Sequence, residues 1–130
     1  MRITALLLLF LVVTSCYSPE RDCTSFKTGV FKFEELVGTE LVSSTIRRND
    51  SISIETYNAV VDTFSVRWIN DCEYIMRKLN PKNKYDEEAV HFKILTTTKD
   101  SYTFEYRMVV KKENNPRRVE KGTVTKIGDI

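Results

Sequence analysis

The chain has 130 residues, 42% of them hydrophobic and 29% charged, with 20 basic against 18 acidic side chains. That length allows one domain, and a charge so near balance provides no electrostatic footprint for nucleic acid or for strong attraction to anionic lipid. One histidine and three cysteines are poor material for a metal site, which needs several clustered ligands.

The first fifteen residues differ from the rest. Arg2 supplies a short positive start, Ile3 to Val13 are nearly all apolar, and the small residues Thr14 and Ser15 follow. The run has the length of a secretory h-region and falls short of the roughly twenty apolar residues a spanning helix needs. It ends in Val13-Thr14-Ser15-Cys16, which resembles a bacterial lipobox. The resemblance implies that Cys16 becomes the first mature residue, acylated on its sulfur and amino group. Each buried methylene then contributes about 0.8 kcal/mol, and more than one chain makes the anchor stable. The alternative is an ordinary cleaved signal with Cys16 as a plain thiol. Without Arg2 the mature chain carries 19 basic against 18 acidic groups. Residues 1–15 are thus read as signal, 16–22 as a lipidated tether containing Pro19, and 23–130 as a single domain.

Cys23 and Cys72 remain in the mature body. An even pair in an oxidising compartment reads first as a disulfide, with two buried free thiols as the alternative. Closing a loop of about fifty residues contributes on the order of 4 kcal/mol.

From Cys23 onward the chain resolves into apolar-alternating segments at 28–36, 40–48, 50–58, 62–69, 72–79, 90–97, 101–110 and 119–127. Helical periodicity is limited to 86–90. Residues 80–84 and 111–118 are polar loops with Pro81 and Pro116, which suit turns better than sheet centres. The stretch 64–76, which holds the only tryptophan, is the central hairpin. Three-residue loops match apolar faces at three hairpins: Ile46 opposite Ile52, Trp68 opposite Tyr74 with Val66 opposite Met76, and Ile94 opposite Phe104 with Phe92 opposite Tyr106. Such loops favour Asn, Asp or Gly in a left-handed final position; Asp50 and Asp100 suit it, and Cys72 does not. Ile52 and Ile54 are read as one apolar face of the third strand. Eight short antiparallel strands in sequence predict an all-β meander closing into a small lipocalin-like barrel or strongly curved sheet. A β-sandwich and an α+β fold are the alternatives.

Several stretches together resemble a family of small exported lipoproteins of Bacteroidota-type bacteria. They include Cys16-Tyr17-Ser18-Pro19-Glu20-Arg21-Asp22-Cys23, Phe31-Lys32-Phe33-Glu34, Trp68-Ile69-Asn70-Asp71-Cys72-Glu73-Tyr74 and Gly122-Thr123-Val124-Thr125-Lys126-Ile127. Members often carry the label "DNA topoisomerase IV". Such enzymes are cytoplasmic machines many times this length, with an acidic metal-binding cluster that this secreted, nearly neutral chain lacks. The resemblance implies an exported lipoprotein and assigns no chemistry.

The remaining candidates are modest. His91 reads as a strand residue. Glu34-Glu35 and Asp86-Glu87-Glu88 read as solvated surface rather than paired acid and base. Lys111-Lys112 and Arg117-Arg118 bracket the last loop, a solvated basic loop or a contact for lipid headgroups. No Gly-x-Ser-x-Gly elbow or phosphate-cradling glycine loop is present, so no catalytic residues, cofactors or metal are expected. Phe31, Phe33, Phe64, Trp68, Phe92, Phe104 and Tyr106 are expected inside the barrel. An interior of this size is either filled by side chains or holds one small ligand. The expectation is a non-catalytic interaction or structural module of the envelope, membrane-anchored through Cys16 and facing the periplasm or the cell surface, with an envelope protein as the partner of the interaction reading. Its alternative is a lipocalin-like carrier of a small apolar ligand.

Overall fold

The computed structural model describes residues 20–110 and 118–130. Cys16, Lys111, Lys112 and Arg117 lie outside the described residues, as do residues 1–15, read above as signal, and most of 16–22, read as tether. Arg118, at the edge of the basic loop, is exposed.

A short 3-10 turn, Thr24–Phe26, leads into eight strands: β1 (Gly29–Val37), β2 (Glu40–Arg48), β3 (Ile52–Tyr57), β4 (Val60–Asn70), β5 (Glu73–Lys78), β6 (Val90–Thr97), β7 (Ser101–Met108) and β8 (Glu120–Gly128). Each strand pairs antiparallel with the next, and β8 returns to β1, so the sheet closes into a barrel. The expected meander is realised, with β8 closing on the first half of β1, Val30 to Phe33, which hides that stretch of the edge an open sheet would offer to another chain. Residues 84–87 form a turn rather than the start of a helix. The Asn83 side-chain oxygen fixes it by accepting the Tyr85 and Asp86 backbone N–H groups at 2.9 and 3.0 Å.

Two of the three expected registers hold. Val66 faces Met76 and Trp68 faces Tyr74; Phe92 faces Tyr106 and Ile94 faces Phe104. Both hairpins nevertheless carry an irregularity close to the turn, between Trp68 and Asn70 and between Ile94 and Thr96. The turns are therefore not the simple three-residue loops expected: Asn70 pairs with Glu73, and Thr97 with Tyr102.

The β2–β3 register is different. Arg48 faces Ser53 and Ile46 faces Glu55, so Ile46 does not oppose Ile52. The shift is odd, and an odd shift exchanges the two faces of a strand. Ser53, Glu55 and Tyr57 therefore point inward, while Ile54 is exposed. Asn49 drives this: its side-chain oxygen accepts the N–H groups of Ser51 and Ile52 at 2.9 and 2.8 Å. Its own N–H donates to the Ile52 carbonyl at 2.9 Å, which lengthens the loop. Asp50 and Asp100 are not left-handed. Among the described non-glycine residues, positive φ occurs at Asn58 (46°) and Ala59 (62°), the two-residue turn joining β3 to β4. Gly38, at φ 65°, opens the equally tight β1–β2 turn, a conformation that costs glycine least.

The two ends of the barrel are built differently. At one end, Cys23 is bonded to Cys72 in the β4–β5 turn, and the 3-10 turn lays Phe26 against Phe31, Tyr102 and the rest of the core. Arg21 donates to the Ile94 carbonyl at 3.0 Å, the Asp22 N–H to Thr97 Oγ1 at 2.9 Å, and Lys27 to Asp71 at 2.8 Å. The Asp22 carboxylate accepts the Ser25 hydroxyl, the Ser25 N–H and the Thr24 hydroxyl. Those hydrogen bonds, led by the Ser25 hydroxyl, hold its pKa below the usual carboxylate value. This end is sealed. The other end, with the 38–39 and 58–59 turns and the loop at 79–89, is open.

Between them lies an aromatic layer. Tyr74 stacks on Phe92 (5.0 Å, 2° between planes), Trp68 packs on Tyr74 at 4.5 Å, and Phe104 meets Phe92 at 5.8 Å. Gly122 makes room for it: a Cβ there would lie 2.8 Å from Phe104 and 2.9 Å from Phe33.

Candidate functional site

All seven aromatic residues expected inside the barrel are on its inner wall, but at two heights. Phe31, Trp68 and Phe104 belong to the packed layer near the sealed end. Phe64, Phe92 and Tyr106 line a cavity of about 420 Å³ toward the open end. Phe33 lines an adjoining cavity of about 390 Å³.

The packed layer is organised around a residue that the sequence places only at a strand end. Arg48 is 1% exposed. Its guanidinium donates to the Phe26 carbonyl at 2.7 Å, the Lys27 carbonyl at 3.2 Å, the Tyr74 hydroxyl at 2.9 Å and the Tyr102 hydroxyl at 3.0 Å. Four rings surround it, with centroids 4.7 Å (Phe31), 4.9 Å (Tyr74), 5.7 Å (Trp68) and 5.7 Å (Tyr102) from Cζ. Burial opposes the charge, but the two phenol oxygens outweigh it, and the pKa stays above the ordinary guanidinium value. Cation–π attraction supplies part of what a counter-ion would otherwise give. Burial in turn pushes the Tyr74 phenol well above its usual pKa. Ser53 Oγ and Trp68 Nε1 are buried without a protein hydrogen-bond partner.

Above this floor the character of the wall changes. The larger cavity is bounded by apolar groups, among them Phe64, Met76, Val90, Phe92 and Met108. Glu55 stands on the wall common to both cavities. Directly opposite it in register is Asp62, whose carboxylate is held by Lys78 at 2.9 Å; Lys78 also reaches Asp86 at 3.6 Å. Burial raises the Glu55 pKa first; Arg48 partly offsets this, and Asp62 adds to the rise. Tyr106 is raised too, by burial and then by Glu120 and Glu35.

The acidic pairs expected on the surface divide. Glu34 and Glu35 are strand neighbours, so they point to opposite faces: Glu34 pairs with Lys32 outside, while Glu35 lines the mouth. Asp86 and Glu88 line the larger cavity, which corrects their reading as plain surface. His91 is on the outer wall with Nε2 3.4 Å from Glu73, as a strand residue should be.

Sequence reasoning passed over Arg48, Glu55, Asp62 and Lys78. Arg48, Asp62 and Lys78 alternate in phase with apolar inward neighbours, the one signal available for them; Glu55 does not, because the apolar residues beside it on β3, Ile52 and Ile54, are out of phase with it. Among the described residues no group of His, Cys, Asp and Glu is arranged to hold a metal ion, and no helix is long and apolar enough to cross a membrane. No family model matches the chain, and neither the curated proteins nor the solved structures yield a match.

Proposed function

We propose that this protein is an exported binding module that carries a small ligand with an apolar body in the open half of its barrel. The observation that supports this reading is the asymmetry of the interior: an aromatic floor closes one end, and a cavity of about 420 Å³ with a largely apolar wall opens at the other. That volume lies within the range of small-molecule sites, which are mainly hydrophobic with a few placed polar groups. Protein isolated from its native envelope should carry a reproducible small-molecule adduct in native mass spectra. It should also bind the neutral dye N-phenyl-1-naphthylamine in competition with extracts of that envelope. A clean apo mass together with no dye binding would sink the reading.

The lipobox at Val13-Thr14-Ser15-Cys16 supports anchoring through an acylated Cys16. Residues 20–26 join the barrel at its sealed end, so a tether there leaves the mouth facing away from the membrane. A Cys16→Ser protein should leave the membrane fraction and lose the mass of the acyl chains. Retention with unchanged mass argues against the anchor.

A second reading, docking of an envelope protein over the mouth, has one observation in its favour. Leu36, Val37, Leu41, Val60 and Val61 are exposed by 58–67% on the two hairpin tips beside the opening. Contiguous exposed apolar residues of this kind mark interaction surfaces. A stoichiometric partner retained in mild detergent and lost from a Leu36→Ser/Leu41→Ser protein supports it.

A further inference from the structure

The wall shared by the two cavities carries a carboxylate that, among the described residues, no hydrogen bond or ion pair meets. Glu55 lies on β3 between Ile46 on one side and Asp62 on the other. Like charges directly opposite in a sheet are destabilising, so this placement costs the empty barrel stability. Asp62 is neutralised by Lys78. Glu55 is not: among the described residues no ion pair or hydrogen bond reaches its carboxylate, and Arg48 acts on it only through space, its own donors turned to Tyr74, Tyr102 and the Phe26 and Lys27 carbonyls.

Resting on the carrier reading above, we propose that Glu55 is the counter-ion of the ligand, and that the ligand is a small organic cation, a protonated amine or quaternary ammonium on an apolar body. Three features of the cavity converge on that chemistry. Among the described residues, the walls of the two cavities present the carboxylates Glu35, Glu55, Asp62 and Asp86 and one ammonium, Lys78, whose charge is already shared by Asp62 and Asp86. Among the described residues lining the two cavities, an anion finds no free cation to receive it. Arg48 is 1% exposed with its donors engaged by Tyr74, Tyr102 and two carbonyls, so its charge reaches Glu55 through space and makes no contact with a ligand. The rings of Phe64, Phe92 and Tyr106 border the space beside Glu55, and aromatic faces attract cations, most strongly where water is excluded. A carboxylate that burial makes reluctant to ionise is in addition one that gains most from an incoming positive charge.

The test compares phenyl-bearing probes of similar size and different charge. Calorimetric titrations of the exported protein in mild detergent use benzyltrimethylammonium, its uncharged isostere neopentylbenzene, and the anion 4-phenylbutyrate. The cation should bind about tenfold more tightly than the isostere, as expected for one partly buried ion pair, and the anion more weakly than either. Glu55→Gln should abolish the advantage of the cation and leave the affinity for neopentylbenzene unchanged. Glu55→Asp, which keeps the charge, should retain part of it. Equal affinity for cation and isostere, tighter binding of the anion, or a cation preference that survives in Glu55→Gln overturns the assignment while leaving the carrier reading intact. Binding of none of the three probes overturns both.

Discussion

The sealed and open halves of the barrel are lined by the same eight strands with the same alternation, yet they solve opposite problems. The sealed half buries a full positive charge and surrounds it with partners: Arg48 uses four of its five N–H donors in hydrogen bonds and has four rings around it. The open half exposes a negative charge to a cavity and leaves it unpaired, with Asp62 directly opposite. A buried polar group is tolerable when its partners are in place and costly when they are not. Arg48 therefore reads as part of what holds the fold, and Glu55 as a group whose partner comes from outside. Position along the barrel axis, rather than residue type, separates the two roles.

Three perturbations test that contrast, taken from the largest effect down. Cys72→Ser removes the bond that ties the turn of β4–β5 to Cys23, 49 residues away in sequence. It should lower stability by about 4 kcal/mol on the chain-entropy account, measured by urea denaturation; a loss below about 1 kcal/mol would mean that the other contacts of the sealed end hold it unaided. Arg48→Met keeps most of the bulk and removes the donors, so the two phenols and two carbonyls lose their common partner. The expected cost is about 3 kcal/mol, with ligand affinity changed far less than stability. A variant as stable as the parent would show that the buried cation is no asset to the fold.

Glu55→Gln should act in the other direction. Because burial raises the Glu55 pKa in the folded barrel, the folded protein holds that proton more tightly than the unfolded chain does. Its destabilising effect is thus absent below the ordinary carboxylate value and fully present once pH rises past the folded-state value. Asp62, Lys78, Glu35 and Asp86 on the cavity walls and Arg48 nearby are present in both proteins, so the difference between them isolates Glu55. At pH 7 the Gln variant should be more stable by on the order of 0.5–1 kcal/mol, and the gap should close on acidification. Thermal melts of both proteins from pH 4 to 7 measure this; a constant gap, or a less stable variant, would place Glu55 among the structural groups.

How far the site was legible follows from what each strand buries. The 64–76 hairpin was readable because Trp68, Tyr74, Val66 and Met76 are apolar on both strands, and only one register brings them together. The 40–57 hairpin was not. Its inward residues are Ser44, Ile46, Arg48, Ser53, Glu55 and Tyr57, and a reading that assigns apolar residues to the core chooses Ile52 and Ile54 instead. Inward polarity there is a consequence of the hollow half and of the Arg48 cage, both made by strands distant in sequence. The seven interior aromatics were readable as interior, since alternation fixes the face. Which of them border a cavity depends on height, and alternation carries no information about height.

The sequence by itself determined the number of strands, the meander order and the face of most side chains, because period-two alternation and turn residues are local signals; it put a Cys23–Cys72 disulfide ahead of two free thiols, and the structure shows the bond. Tertiary structure alone decided that the barrel is sealed at the end where the chain enters and hollow at the other. It also turned β3 over and brought Arg48 into an aromatic cage and Glu55 onto a cavity wall. The physical reason is closure: joining β8 to β1 sets every strand's height against its neighbours at once, and only then do residues far apart in the chain come to share one space.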